Sequence, residues 1–111
     1  SWTILNSVFA HNEAIGHGAN PERPGTPGGG SGGAIYNDGN EMMLRDEGTR
    51  IEGNWSNGEG GSAIFFVSNN RTGNVHIVDS VIRNNTGDGF STHPSIFFLG
   101  NRITFTRSTV E

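Results

Sequence analysis

The sequence predicts an all-β chain wound as a right-handed parallel β-helix, a β-solenoid of about three coils, and three observations carry that expectation. First, two short phrases recur together. Gly32-Gly33-Ala34-Ile35 returns as Gly61-Ser62-Ala63-Ile64 and as His93-Pro94-Ser95-Ile96. Phe9-Ala10-His11-Asn12 returns as Ile51-Glu52-Gly53-Asn54 and as Ile82-Arg83-Asn84-Asn85. A unit repeating at about 30 residues stacks on its neighbours and shares one core with them. Second, the apolar residues fall in short alternating runs rich in β-branched and aromatic types, such as Val75-His76-Ile77-Val78 and Ile103-Thr104-Phe105-Thr106. Third, Gly, Asn and Ser interrupt every stretch long enough to sustain a helical period. Copies of one unit run in one direction, so they pair in parallel, and the crossover that a parallel pair needs is the rest of the coil. The right hand comes from the general preference of parallel crossovers, not from these residues.

The first strand of the unit is Trp2-Thr3-Ile4-Leu5. Its echoes begin at Met43, Val75 and Ile103, each five residues before an anchor at Ser7, Gly48, Ser80 or Ser108. The second strand carries the apolar-x-x-Asn step. Phe9, Ile82 and Val110 lie two residues after their anchors and Ile51 lies three after, which predicts a one-residue bulge in the second unit. The third strand is Ala34-Ile35-Tyr36, echoed by Ala63-Ile64-Phe65-Phe66-Val67 and Ser95-Ile96-Phe97-Phe98-Leu99. Three strands per turn follow from this alignment. The interval from Asn12 to Ile35 exceeds its counterparts by a segment at residues 16–31 that holds Pro21, Pro24, Pro27 and Gly28-Gly29-Gly30. Insertions in solenoids go to surface loops, so this one reads as a Gly/Pro-rich loop within the first coil. Trp2 to Phe9 corresponds to Ile103 to Val110, giving three turns plus one strand, with neither end capped by a helix or a polar strand.

At 111 residues the chain is a single domain, 1–111. Only 32% of residues are hydrophobic and 18 are Gly, but their patterning argues against disorder. The net charge is −4, and the seven basic residues are dispersed, which excludes nucleic acid as a partner. No apolar run is long enough for a membrane span. No charged segment followed by an apolar stretch marks a signal peptide. Cysteine is absent, so disulfides contribute nothing. Lysine is absent too, which leaves the N-terminus as the one primary amine.

The paired motifs Gly32-Gly33-Ala34-Ile35 and Phe9-Ala10-His11-Asn12 resemble those of polymorphic outer-membrane protein passengers and related right-handed parallel β-helix repeat proteins. The resemblance covers residues 1–15 and 31–111. It implies the coil architecture and a secreted or cell-surface setting. It is weak for activity, because the same coil serves adhesins, polysaccharide lyases and hydrolases, and fibre proteins. Such proteins carry many more coils, and this chain has no membrane-anchoring barrel, so it reads as a free secreted module or a piece of a longer protein.

Asn12, Asn54 and Asn85 form a column whose first reading is an amide ladder between coils. Of the three Asn-x-Ser/Thr sequons, those at Asn54 and Asn84 fall on or beside that column, and the one at Asn70 lies in a turn, as the better glycosylation acceptor. Asn37-Asp38-Gly39-Asn40-Glu41 and Asn85-Thr86-Gly87-Asp88-Gly89 carry oxygen ligands but read as turns rather than calcium loops. His11, His17, His76 and His93 lack metal spacing, so neither a metal nor another cofactor is expected, and His11 and His76 should point outward. Polysaccharide hydrolysis needs two carboxylates facing one groove, for which Asp46, Glu47, Asp79 and Asp88 qualify by type. Asp46 and Asp79 fall at nearly one column, with Asn6 and Arg107 at the ends, and would stand about 5 Å apart on the outer face. Alternation sends Phe66 and Phe98 inward and Tyr36, Phe65 and Phe97 outward, as an exposed aromatic stripe suited to sugar rings or another subunit.

Two functions follow. The first is a non-enzymatic extracellular or cell-surface module, adhesin-like, that stacks head to tail into a fibre through its uncapped coils. Trp2, Ile4, Phe9, Ile103, Phe105 and Val110 would form the junction, with surface glycans as a second class of partner. The alternative is a carbohydrate-binding or polysaccharide-degrading β-helix fragment. An ice-binding role is disfavoured, since no outward Thr column repeats.

Overall fold

Residues two apart in an extended strand share a face, and that rule sorts this chain into buried and exposed rows. The computed structural model describes residues 1–16, 29–58 and 60–111. They form fourteen short strands and no helix: β1 (Trp2–Leu5), β2 (Val8–Ala10), β3 (Glu13–Ala14), β4 (Ile35–Gly39), β5 (Met43–Glu47), β6 (Arg50–Glu52), β7 (Trp55–Ser56), β8 (Ile64–Ser68), β9 (Asn74–Val78), β10 (Val81–Arg83), β11 (Thr86–Gly87), β12 (Ile96–Leu99), β13 (Arg102–Thr106) and β14 (Thr109–Val110). They assemble into four parallel sheets, ordered β1-β5-β9-β13, β2-β6-β10-β14, β3-β7-β11 and β4-β8-β12. The chain visits the sheets in this order three times, and β13 and β14 begin a fourth pass.

Each pass therefore holds four strands, not the three expected. The additional sheet is built from β3, β7 and β11, each two residues long, too short to display any alternation in sequence. The expected final strand at Ile103–Val110 is likewise two, β13 and β14. Residues 17–28, most of the expected insertion with its three prolines and His17, lie outside the described residues. At its edge, Gly30 and Ser31 are buried, and the Gly30 carbonyl accepts a hydrogen bond from the Gly58 amide at 2.6 Å.

Parallel register stacks like positions into rows. Trp2, Leu44, Val75 and Ile103 form one. Ile4, Asp46, Ile77 and Phe105 form a second. Phe9, Ile51, Ile82 and Val110 form a third, and Ile35, Ile64 and Ile96 a fourth. The buried apolar members of these rows, with Ala63 and Phe66, make one hydrophobic core. Each fully buried Leu or Ile there contributes about 2 kcal/mol relative to exposure.

Between the first and second sheets every pass turns through a left-handed residue: Asn6 (φ 49°), Gly48 (φ 64°), Asp79 (φ 48°) and Arg107 (φ 47°). A hydroxyl follows each of them, at Ser7, Thr49, Ser80 and Ser108. These hydroxyls interlock the passes. Thr49 N–H donates to Ser80 Oγ at 3.1 Å, and Ser80 N–H to Ser108 Oγ at 3.0 Å. The equivalent of Ser7 is thus Thr49, not Gly48, and Leu44 rather than Met43 belongs to the Trp2 row. With that shift Ile51 sits in register with Phe9 and Ile82, and the expected bulge disappears. Gly48 resembled a small anchor residue, but its function is to adopt positive φ; a Cβ there would also run into the Asn6 side chain.

Candidate assembly interface

A second left-handed corner, at His11 (φ 58°), Gly53 (φ 69°) and Asn84 (φ 56°), aims the following Asn into the stack. The Asn12 backbone N–H and Nδ2 both donate to Asn54 Oδ1, each at 2.9 Å. Asn54 repeats this with Asn85 Oδ1, at 2.9 and 2.8 Å. Asn54 Nδ2 also donates to the Phe9 carbonyl at 3.1 Å, and Asn85 Nδ2 to the Ile51 carbonyl at 3.0 Å. Asn54 is fully buried, so its sequon is sealed off from solvent. Asn70 is exposed in a turn, and its Oδ1 accepts from the Thr72 hydroxyl at 2.7 Å.

Tyr36, Phe65 and Phe97 stack in one column, with ring centroids 5.1 and 5.0 Å apart and interplanar angles of 7° and 18°. The column is not the exposed stripe expected. Phe65 retains only 2% of its accessible surface, while Tyr36 and Phe97 are half-buried. The pleat does send these rings away from Ile64, but the stacked neighbours cover both faces of the middle one. Phe90, itself exposed, meets Phe97 edge-on at 6.3 Å. Phe66 and Phe98 form a parallel column at 5.6 Å against the core.

The six expected junction residues occupy revealing positions. Trp2 and Ile103, Ile4 and Phe105, and Phe9 and Val110 are the first and last members of three inward rows. Trp2 is 53% exposed and Phe105 39%, although the members of their rows in the middle passes, Leu44 and Val75, and Asp46 and Ile77, are buried. Phe9, Ile103 and Val110 are half-buried, and Ile4 is buried. The other exposed large apolar residues also belong to the outer passes: Leu5, Val8 and Ile15 in the first, Phe90 in the third. At the same two ends β1 and β13 present unpaired edges of one sheet, and β2 and β14 of another.

The expected carboxylate pair does not exist. Asp46 pairs in register with Ile4 and Ile77, faces the core and is fully buried. Burial pushes its carboxyl up to about 7. Asp79 instead occupies the exposed corner equivalent to Gly48. There Arg107 bonds it through Nε at 2.6 Å and Nη2 at 3.0 Å, and these contacts hold its carboxyl below the ordinary value. Parity locates Asp46, since an inward Leu44 requires an inward residue two positions on; aligning Met43 with Trp2 shifts the strand by one residue and exchanges its faces.

The remaining polar candidates are dispersed. Asp38 accepts from Asn69 Nδ2 at 2.9 Å and from the Tyr36 hydroxyl at 3.1 Å, while Asn37 faces inward. Glu47 pairs with Arg45 at 3.1 Å, and Asp88 is exposed beside β11. His76 Nδ1 lies 2.8 Å from Thr104 Oγ1 on the outer face, and His11 is exposed. Among the described residues no three His, Cys, Asp or Glu side chains group as a metal site would require. A depression of about 370 Å³ lined by Ser1, Glu41, Met42, Met43, Thr72 and Asn74 carries a single carboxylate. No helix of the described residues is long and apolar enough to cross a membrane. Compared with family models, curated proteins and solved structures, the chain matches none.

Proposed function

We propose that the four sheets are the walls of a right-handed parallel β-helix, akin to the polymorphic outer-membrane passengers its motifs resemble. We further propose that it acts as a non-enzymatic structural module of an extracellular or cell-surface assembly, stacking head to tail with copies of itself. One observation carries this reading: the two ends present unpaired strands of the same sheets in the same register, with Trp2 exposed at one end and Phe105 at the other. An unpaired parallel edge recruits another strand, and a head-to-tail contact that does not close propagates as a filament. Docking β1 of one copy on β13 of the next would set Trp2 against Ile103 and continue the apolar rows.

The step between the sheets adds detail. Two sheets have four strands and two have three. Continuous stacking in the former sets a repeat of four strand layers, about 19 Å, and leaves one layer open in the latter. Ile15 after β3 and Phe90 after β11 are the exposed apolar residues bordering that gap. Surface glycans are the second partner class. The hydrolase alternative has no comparable support, because Asp46 is buried in the core while Asp79 stands at an exposed corner.

Trp2→Glu and Phe105→Glu each place a charge in the junction and alter no residue of the middle passes. Each is expected to convert assemblies to monomers in sedimentation velocity, with the far-ultraviolet circular dichroism unchanged. Deleting residues 103–111 should do the same. Assembly persisting in all three would remove the ends from the contact, and a monomer that binds glycans would favour the alternative.

A further inference from the structure

Asp46 is the only charged residue among the described ones that is classed as buried. It interrupts an otherwise apolar row, between Ile4 of β1 and Ile77 of β9, and neither carboxylate oxygen has a hydrogen-bond partner. An ionised carboxylate in that place needs water, because no cation faces it. On its own strand Arg45 and Glu47 pair with each other at the outer surface. From β9, His76 turns outward to Thr104. On the adjoining sheet Glu52 and Arg83 pair at 3.0 Å on the outside. Water can reach Asp46 only if a neighbouring strand moves. β9 is held between β5 and β13, whereas β1 pairs with β5 alone.

We propose that β1 is a proton-held latch, docked over a neutral Asp46 and released when that carboxyl ionises. The latch belongs to the unstacked chain, since β13 of a stacked copy would hold β1 from its other side. Burial raises the docked carboxyl to about 7, while the released form titrates as an ordinary carboxylate. The docked form therefore binds the proton more tightly. Release is suppressed in acid, grows as pH rises toward 7, and levels off once the docked carboxyl itself ionises.

Hydrogen exchange followed by NMR on the whole chain tests this. The Asn6 amide, bonded to the Glu47 carbonyl at 2.9 Å, reports β1; the Gly48 amide, bonded to the Val78 carbonyl at 3.0 Å, reports the inner strands. After correction for intrinsic exchange, Asn6 should be at least about tenfold less protected than Gly48, and its protection should fall about tenfold per pH unit between about pH 5 and 7. In Asp46→Asn the Asn6 protection should not vary with pH. Three results would each overturn the latch: a flat Asn6 profile in the unaltered protein, the same slope in Asp46→Asn, or equal protection at Asn6 and Gly48. A carbon-13 titration of the Asp46 carboxyl in the unaltered protein decides the matter if the variant does not fold. A midpoint near the ordinary value of about 4 would refute the proposal.

Discussion

Asn54→Ala should lower the free energy of unfolding by about 3–5 kcal/mol, the largest effect of any single polar truncation in this chain. The expectation rests on what the amide does. Its oxygen accepts the backbone and side-chain N–H groups of Asn12, and its nitrogen donates to the Phe9 carbonyl and to Asn85. Truncation leaves those partners without it beside a fully buried position and opens a void between passes. Asn54→Asp keeps the shape and the acceptor but sets a carboxylate oxygen against the Phe9 carbonyl and Asn85 Oδ1, and at neutral pH should be no more stable than the Ala variant. Urea denaturation monitored by circular dichroism reads both. A loss below about 1 kcal/mol for the Ala variant would mean the ladder is incidental to the stack.

The ladder was legible because its signal is the residue itself: Asn recurs three positions after an apolar residue in Phe9–Asn12, Ile51–Asn54 and Ile82–Asn85. The Ile35, Ile64 and Ile96 row was legible for the same reason. Other features carry no residue signature. The left-handed corner accepts Asn6, Gly48, Asp79 and Arg107 alike, since what it fixes is a backbone angle. Alignment by residue type therefore sets the anchor one residue early in the second pass, and that shift alone yields both the bulge and the pairing of Asp46 with Asp79. The sheet of β3, β7 and β11 went unread because two residues show no period. The burial of Phe65 could not be read either, for it depends on rings from neighbouring passes closing over it.

Asp46→Val is expected to stabilise the protein at pH 8 by about 3 kcal/mol. The sign follows from the raised carboxyl. Unfolding frees Asp46 to ionise near its ordinary value, while the folded chain keeps the proton until about pH 7. Between those values the folded state binds more protons, so stability falls as pH rises, by up to about 4 kcal/mol in all, and levels above pH 7. Valine removes the titration and matches the Ile4 and Ile77 row on either side. Urea midpoints at pH 5 and pH 8 for both proteins measure the effect. A parent chain equally stable at the two values, or a valine variant weaker at pH 8, would contradict it.

The central claim, that open ends in matching register stack copy upon copy, is met most directly by electron microscopy of the purified chain with a power spectrum of the images. Stacking predicts unbranched fibres with an axial spacing of about 4.8 Å and a subunit repeat of about 19 Å. Monodisperse particles the size of one chain, at every concentration tried, would contradict it.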